Sequence, residues 1–253
     1  MTIPHLLRTR TADGRQKSKV ALKSRKSEAQ YARQLRKIAQ HVGDIINGFP
    51  AGDPSSVTPI DYALQQYADL ITPWARHVAS TMIEDVNLRD KSMWADISKQ
   101  LSAGLRRELQ NTPVGDLTSA LLSEQVTLIR SIPLEAAQRV HELTLAGLTD
   151  SKRASEIARE IRRSGQVSAS RANLIARTEV SRTASALTEA RARYVGSEGY
   201  IWRIVGDKDT RDSHYNMRNK FVYWDKPPTL DNLTGHAGCL PNCRCYPEPV
   251  LPE

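Results

Sequence analysis

The chain has 253 residues, 40% of them hydrophobic and 25% charged, which suffices for the core of one large domain or two smaller ones. It contains no run of about 18 apolar residues, which excludes a membrane-spanning helix, and its opening MTIPHLLRTRTADGRQKSK does not resemble a secretory signal. The three cysteines lie within seven residues of each other, and without such a signal they favour a reducing, intracellular setting over a disulfide framework.

The net charge of +8 is carried by the N-terminal arm. Residues 1–37 contain 11 Lys or Arg and 2 Asp or Glu, whereas residues 38–253 contain 25 and 26. Such an arm binds nucleic acid by counterion release, docks on an acidic protein surface, or is a solvated tail with no partner. The candidate polyanion contacts are Arg8, Arg10, Arg15, Lys17, Lys19, Lys23, Arg25 and Lys26.

Apolar residues at three- and four-residue steps predict helices from about residue 17 to residue 195. The first helix is predicted to end at Gly48 and Pro50. Further along, Pro73 is predicted either to kink a helix or to begin one.

The middle of the chain continues this pattern. A helix is predicted over residues 93–111, ending before Pro113. Asp116 is the predicted N-cap of the next helix, and Pro133 is predicted to open another segment.

Two helices are predicted before residue 199. The first is short, capped near Thr149 or Asp150 and stopped by Gly165, and the second is long and closed by Gly196 and Gly199. The predicted inner face of the long helix consists of Ala172, Ala176, Val180, Thr183, Leu187, Ala190 and Tyr194.

Short β-prone runs follow, namely YIWRIV, KFVYW and RCYPEPV, separated by turn residues. The predicted fold class is mainly α, an N-terminal helical body with a small C-terminal α+β or β domain packed on the last long helix. The predicted parts are a basic arm at 1–26, a helical body at 27–146 and a C-terminal domain at 147–253, with helices over 150–198 and a β-rich end over 199–253.

The loop GDKDTRDSHYNMRNKF places Asp207, Asp209, Arg211, Asp212 and His214 close together. Such groups bind metals or act as acid and base, but an arginine among carboxylates more often holds a loop by charge-assisted hydrogen bonds. We therefore expect the loop-holding role. The chain has no Ser/His/Asp order, Gly-rich phosphate loop or HExxH motif, so an enzyme stays possible but the sequence specifies no reaction.

The cysteines raise the question of a metal. Cys239, Cys243 and Cys245, with His214 or His236, would supply the donors of a closed zinc site. The paired CxxC spacing is absent, however, and in an extended strand Cys243 and Cys245 would point to opposite faces. We therefore expect buried structural thiols and no cofactor, with zinc as the alternative.

Three segments in order, LIARTEVSRTASALTEARARY, WRIVGDKDTRDSHYNMRNKFVYWDKPP and PNCRCYPEPV, resemble the phage Mu F-like head morphogenesis family, the minor head proteins of tailed phages, over roughly residues 147–250. Residues 176–179 fit the ARTE helix of that family, and residues 242–245 fit its NCRC end. The residues that fit its loop are Asp207, Arg211, Ser213 and His214.

The chain departs from the family pattern at three places. Asp209 stands where the loop commonly has arginine, which argues against an anion site. Asn219 replaces the usual turn glycine and is predicted to keep a positive φ. Some members carry a CxxC in the loop and look zinc-bound, whereas Arg211 and His214 occupy that region here.

The resemblance implies a non-enzymatic virion protein inside the capsid, made in the host cytoplasm and associated with the portal, other capsid or scaffold components and packaged or ejected DNA. Two other classes stay open: a zinc-dependent nucleic-acid-processing enzyme built on the Asp/His/Cys cluster, and a general DNA-binding protein acting through the arm.

The sequence also predicts a polar network that joins helix and end domain, with Arg244 reaching Glu179. Its members are Arg177, Thr178, Glu179, Asp207, Arg211, His214, Asn242 and Arg244.

Overall fold

The structure, a computed structural model, describes two compact units. One comprises Met1–Glu28, Thr81–Leu121 and Arg177–Glu253, and the other comprises Ala29–Ser80 and Leu122–Ala176. The predicted division into arm, body and C-terminal domain stays a prediction. The residues whose backbone is described are 13–50, 53–98, 104, 107, 111–149, 154–206 and 209–251.

The first helices follow the apolar periodicity. Helix α1 spans Asp13–Asn47, so the basic arm enters a helix from residue 13, and Gly48 ends it as predicted. A short 3-10 turn, Pro54–Ser56, leads to α2, Val57–Leu70.

Helix α3 spans Thr72–Ser98. Pro73 lies in its first turn, where a missing N–H costs nothing, so the prediction that Pro73 begins a helix is confirmed. Most of the helix predicted over 93–111 beyond residue 98 lies outside the described residues.

Helix α4, Gly115–Thr149, corrects two predictions. Asp116 lies in its first turn, and Val114 accepts the first helical bond, from the N–H of Thr118, at 2.9 Å, so Asp116 is not the N-cap. Pro133 lies inside the helix and does not open a new segment. An interior proline costs roughly 3 kcal/mol, which is offset here because Ile129 and Ile132, on its N-terminal side, are fully buried.

A single residue separates α5, Ala154–Arg162, from α6, Ser164–Tyr194. The predicted role of Gly165 as a stop is therefore wrong, since it lies in the first turn of α6. A Cβ at Gly165 would come within 3.2 Å of the Gly43 Cα, so the glycine permits a close helix approach. The N-cap predicted near Thr149 or Asp150 stays a prediction, because residues 150–153 lie outside those described.

The inner face of α6 is confirmed for its first five predicted members, which are buried. Towards its end, Ala190 is half-buried and Tyr194 is 49% exposed, whereas Arg191 and Ala192 are buried. The face turns because Arg191 forms an ion pair with Asp90 of α3.

The C-terminal part contains two small sheets. Strand β1 (Gly199–Arg203) pairs antiparallel with β2 (Phe221–Tyr223) on one side and with β5 (Tyr246–Val250) on the other. The short helical turn α7 (Asp212–Tyr215) lies between β1 and β2 in the chain. Strands β3 (Thr229–Leu230) and β4 (Leu233–Thr234) form a hairpin. Asn219 has a φ of 65°, which confirms the predicted turn.

The small domain packs on α6 as predicted, because Ala192 and Val195 belong to the same buried cluster as Tyr200, Trp202 and Trp224. The fold is thus mainly α with a small C-terminal sheet region. Within the described ranges, no helix is both long and apolar enough to cross a membrane.

Candidate functional site

Among the described residues, three potential metal-binding side chains come together, namely His214, Cys243 and Cys245, which we call the thiol–imidazole cluster. The Sγ atoms of Cys243 and Cys245 lie 3.4 and 3.5 Å from His214 Nδ1. The three residues are 2%, 3% and 6% exposed, respectively, so the cluster is sealed from solvent.

The turn that precedes β5 brings the two thiols together. Asn242 has a φ of 57°, and the chain stays irregular through Cys245, since β5 begins only at Tyr246. The expectation that Cys243 and Cys245 point to opposite faces was therefore wrong, because it assumed an extended strand. Gly238 closes the cluster from the other side, where a Cβ would lie 2.9 Å from Cys245 O.

The cluster favours one thiolate. Hydrogen bonds from the Cys245 thiol, from His214 and from the backbone N–H groups of Gly238 and Cys245 outweigh burial and lower the pKa of Cys243 to about 4. The pKa of Cys245 is raised, mainly by that bond to Cys243 and by burial. Burial also raises the pKa of Cys239 to about 12.

Two of the five candidate metal ligands stand apart from the cluster. His236 Nδ1 lies 3.2 Å from the Tyr200 hydroxyl, and His236 Nε2 lies 3.1 Å from Trp224 O. Both ring nitrogens of His236 are thus in use, and Cys239 is not among the three grouped donors.

The three remaining donors suit zinc in type and spacing. Zinc–sulfur and zinc–nitrogen bonds of about 2.3 and 2.0–2.1 Å place tetrahedral ligands about 3.6 Å apart, close to the 3.4 and 3.5 Å observed. A closed structural site needs a fourth donor, and among the described residues the group contains only His214, Cys243 and Cys245. The expectation of no bound metal stays a prediction. Of its two reasons, the absence of paired CxxC spacing remains, whereas the opposite-face geometry of Cys243 and Cys245 does not.

Part of the predicted polar network is visible at the contact of α6 with the NCRC turn. The backbone N–H of Asn242 donates to the Thr178 hydroxyl at 3.1 Å. Arg177 Nε donates to Glu28 Oε1 at 3.2 Å, and an Arg244 nitrogen lies 3.6 Å from the same oxygen. Glu28 of α1 was missed because nothing in its local sequence distinguishes it from a surface acid.

The other predicted network members are placed as follows. Glu179 is 6% exposed and lies 3.7 Å from Arg182. Arg211 donates to Pro241 O at 3.0 Å and lies 3.6 Å from Asp231. Its predicted pairing with the carboxylates of its own loop stays a prediction. Asp207 lies outside the described residues.

Sequence reasoning also missed a second buried polar group, around Asp90 and Arg191. Thr188 donates to Asp90 at 2.6 Å, and Arg191 donates to Asp90 and, at 2.6 Å, to Asn87. The only hint was a basic residue at an inward position of α6.

Comparison with known proteins confirms the resemblance. Residues 138–247 match the family model described as Phage Mu protein F like protein. The chain is 26% identical over 270 residues to an uncharacterized protein of Haemophilus influenzae, covering 99% of this chain and 59% of that protein, so it spans about three fifths of that relative. No solved structure matches the chain significantly.

A second similarity is local. Over 125 residues the chain is 33% identical to an Enterococcus faecalis protein named NAD(+)--arginine ADP-ribosyltransferase EFV, covering 44% of this chain and 25% of that protein. Three quarters of the named enzyme therefore lie outside the shared segment.

Proposed function

We propose that this chain, whose residues 138–247 match the family model described as Phage Mu protein F like protein, is a minor head protein of a tailed phage that acts in head morphogenesis. The family match is the observation that carries the proposal. In this role the protein is associated with the portal and other capsid or scaffold components inside the capsid, and it contacts the packaged or ejected DNA.

The buried chemistry supports an architectural role. The cluster residues are at most 6% exposed, so a substrate has no access to them without unfolding of the turn. The backbone N–H of Asn242 donates to Thr178 of α6, and Arg244 lies 3.6 Å from Glu28 of α1, so the same turn is held to both helices. Buried thiols and an imidazole held in this way suit an architectural role, and we propose no enzymatic activity.

The direct test is co-expression with the portal protein of the same genome. We expect the two proteins to co-purify and the chain to enter heads assembled from the full set of head genes. A portal protein from an unrelated phage is the matched control. Absence from both the portal complex and the heads would contradict the proposal.

The same preparation separates the two other classes. A zinc-dependent nucleic-acid-processing enzyme would degrade or modify DNA only with stoichiometric metal and would lose that activity on His214→Ala. A general DNA-binding protein would bind duplexes with a steep salt dependence but would not co-purify with the portal.

A further inference from the structure

The three-stranded sheet carries two exposed aromatic side chains on its outer face. Phe221 and Tyr223 flank Val222 in strand β2, and Val222 is buried in the core cluster. Because successive side chains of a strand point to opposite faces, both rings lie on the face turned away from that core. Phe221 is 42% exposed and Tyr223 is 49% exposed, so neither ring is needed to fill the interior.

The two rings are held in fixed positions. Their centroids lie 4.9 Å apart with the ring planes at 87°, which is an edge-to-face contact. Gly199 of β1 is the cross-strand partner of Tyr223. A Cβ at Gly199 would lie 2.5 Å from Phe221 Cζ, so the glycine lets the phenyl ring lie close against the sheet. The rings are therefore ordered before any ligand arrives, which lowers the entropic cost of binding.

Three cations flank the rings in the same segment of chain. Arg218, Lys220 and Lys226 are exposed, and Lys226 Nζ lies 5.7 Å from the centre of the Tyr223 ring. Residues 215–226 contain these three cations and one acid, Asp225, which gives a net charge of +2. Among the described residues, none of the three cations takes part in an ion pair. The two rings and three cations form what we call the aromatic–cationic patch, namely Arg218, Lys220, Phe221, Tyr223 and Lys226.

Neighbouring charges on the same face do not oppose the patch. By the register of the sheet, Arg203 of β1 and Glu248 of β5 share the face of Phe221. Arg203 donates to Glu248, so these two charges neutralise each other. The net charge of this surface therefore comes from the patch itself.

We propose that the aromatic–cationic patch binds single-stranded DNA, with an unpaired base stacked on Phe221 or Tyr223 and its phosphates on the flanking cations. The positive charge favours an anionic occupant, and the rings favour one with flat apolar faces. Single-stranded DNA has both features, and aromatic side chains beside cations are a common way of holding unpaired bases.

Other anionic occupants fit the patch less well. An acidic peptide supplies charge but no flat face for the rings. A duplex keeps the faces of its bases stacked inside, so only its phosphates reach the patch. The inference rests on the DNA contact in the proposed function and deepens it by naming the surface and the form of the DNA.

The test measures binding of the whole chain to labelled oligothymidylate of about 12 nucleotides by fluorescence anisotropy at several salt concentrations. Tyr223→Leu removes a ring but keeps an apolar side chain, and it should weaken binding about 5- to 150-fold, the range for the loss of one stacked base. Binding to a duplex of the same length should not change. The matched control is Tyr62→Leu, which replaces a 65% exposed tyrosine on helix α2 and should leave both affinities unchanged.

A second variant keeps both rings and removes charge. Lys220→Gln with Lys226→Gln should lower the slope of log affinity for oligothymidylate against log salt by about 1.4, because each phosphate contact on a single strand contributes about 0.7. Arg76→Gln with Lys91→Gln, two exposed cations of helix α3, is the matched control and should leave the slope unchanged. Since both patch lysines are exposed, this variant tests the patch even if Tyr223→Leu is unstable.

Each outcome decides the proposal. If both patch variants bind oligothymidylate like their controls, the patch is not the site. If the wild-type chain binds the duplex but not oligothymidylate at about 50 mM salt, the patch fails and the proposed DNA contact stands. If it binds neither, both fail, while portal association is judged by co-purification.

Two further results would assign the patch to another partner. If Tyr223→Leu loses portal co-purification but binds oligothymidylate like the wild type, the rings contact a protein and the proposal is overturned. If the wild-type chain binds oligouridylate and not oligothymidylate, the ligand is RNA and the proposal is overturned as well.

Discussion

Replacement of Arg191 by methionine tests the buried polar group that joins α3 to α6. Arg191 and Asp90 have side-chain exposures of 2% and 3%, so water does not screen their interaction. In Arg191→Met, Asp90 loses its counter-charge and keeps only the hydroxyl of Thr188 as a hydrogen-bond partner in this group. The variant therefore isolates the cost of an unpaired buried carboxylate.

The expected loss is about 3–5 kcal/mol of unfolding free energy, the range for breaking a fully buried ion pair at one partner. For a chain of this size that corresponds to a fall in Tm of about 6–20 °C. The double variant Asp90→Leu with Arg191→Met should recover most of the loss, since an apolar replacement of both partners leaves no charge buried.

Thermal and urea unfolding followed by tryptophan fluorescence measure these differences, because Trp94 belongs to the core cluster of the same unit. Arg163→Met is the matched control, since its ion pair with Glu160 is 58% and 40% exposed and should contribute less than about 1 kcal/mol. If Arg191→Met unfolds like this control, the buried pair does not stabilise the unit and the reasoning is refuted.

Acidity supplies an independent signature of the same variant. Burial raises the pKa of Asp90, while Arg191 and Thr188 oppose the rise. Without Arg191 the pKa of Asp90 should rise further, so that the folded state takes up a proton before the unfolded state does. The stability deficit of Arg191→Met should consequently shrink as the pH falls through that raised pKa.

Three further outcomes are expected. Elemental analysis after dialysis should find far less than one zinc per chain, because the thiol–imidazole cluster has only three donors among the described residues. Arg211→Cys should raise the zinc content, because it adds a thiol at CxxC spacing from His214. About one zinc per wild-type chain would contradict this prediction. Burial lowers the pKa of His236, whose ring lies at hydrogen-bond distance from Trp224 O. The free energy of unfolding should therefore fall as the pH drops below the pKa of histidine in the unfolded state, about 6.5. Urea titrations at pH 7.5 and 5.5 should show a smaller fall for His236→Asn than for the wild type. Gly238→Ala should destabilise the chain more than Gly206→Ala in thermal unfolding. Both glycines have positive φ, but only at Gly238 would an added Cβ collide with a neighbour, at 2.3 Å from Ser185 Oγ. Equal losses of stability would rule out steric contact as the cause.

The elements with short-range patterns were predictable. The helical stretches follow from apolar residues at helical steps, and strands β1, β2 and β5 follow from short β-prone runs between turn residues. The hairpin of β3 and β4 lies outside those runs and was not predicted. The positive φ of Asn219 followed from a side chain that tolerates this conformation where glycine is usual. Local signals failed at Pro133 and Gly165, where packing of neighbouring residues outweighs the intrinsic preference against a helix.

The contacts that define the candidate site were less accessible, because they join residues far apart in the chain. His214 meets Cys243 and Cys245 across 29 and 31 residues, and the meeting depends on a turn whose backbone angles no spacing rule gives. Glu28 reaches Arg177 across 149 residues, and Asp90 reaches Arg191 across 101. Residue types and helical periodicity can be read directly from the sequence. The pairing of a charge with one distant partner depends on which helix faces pack together, and that is a property of the folded molecule.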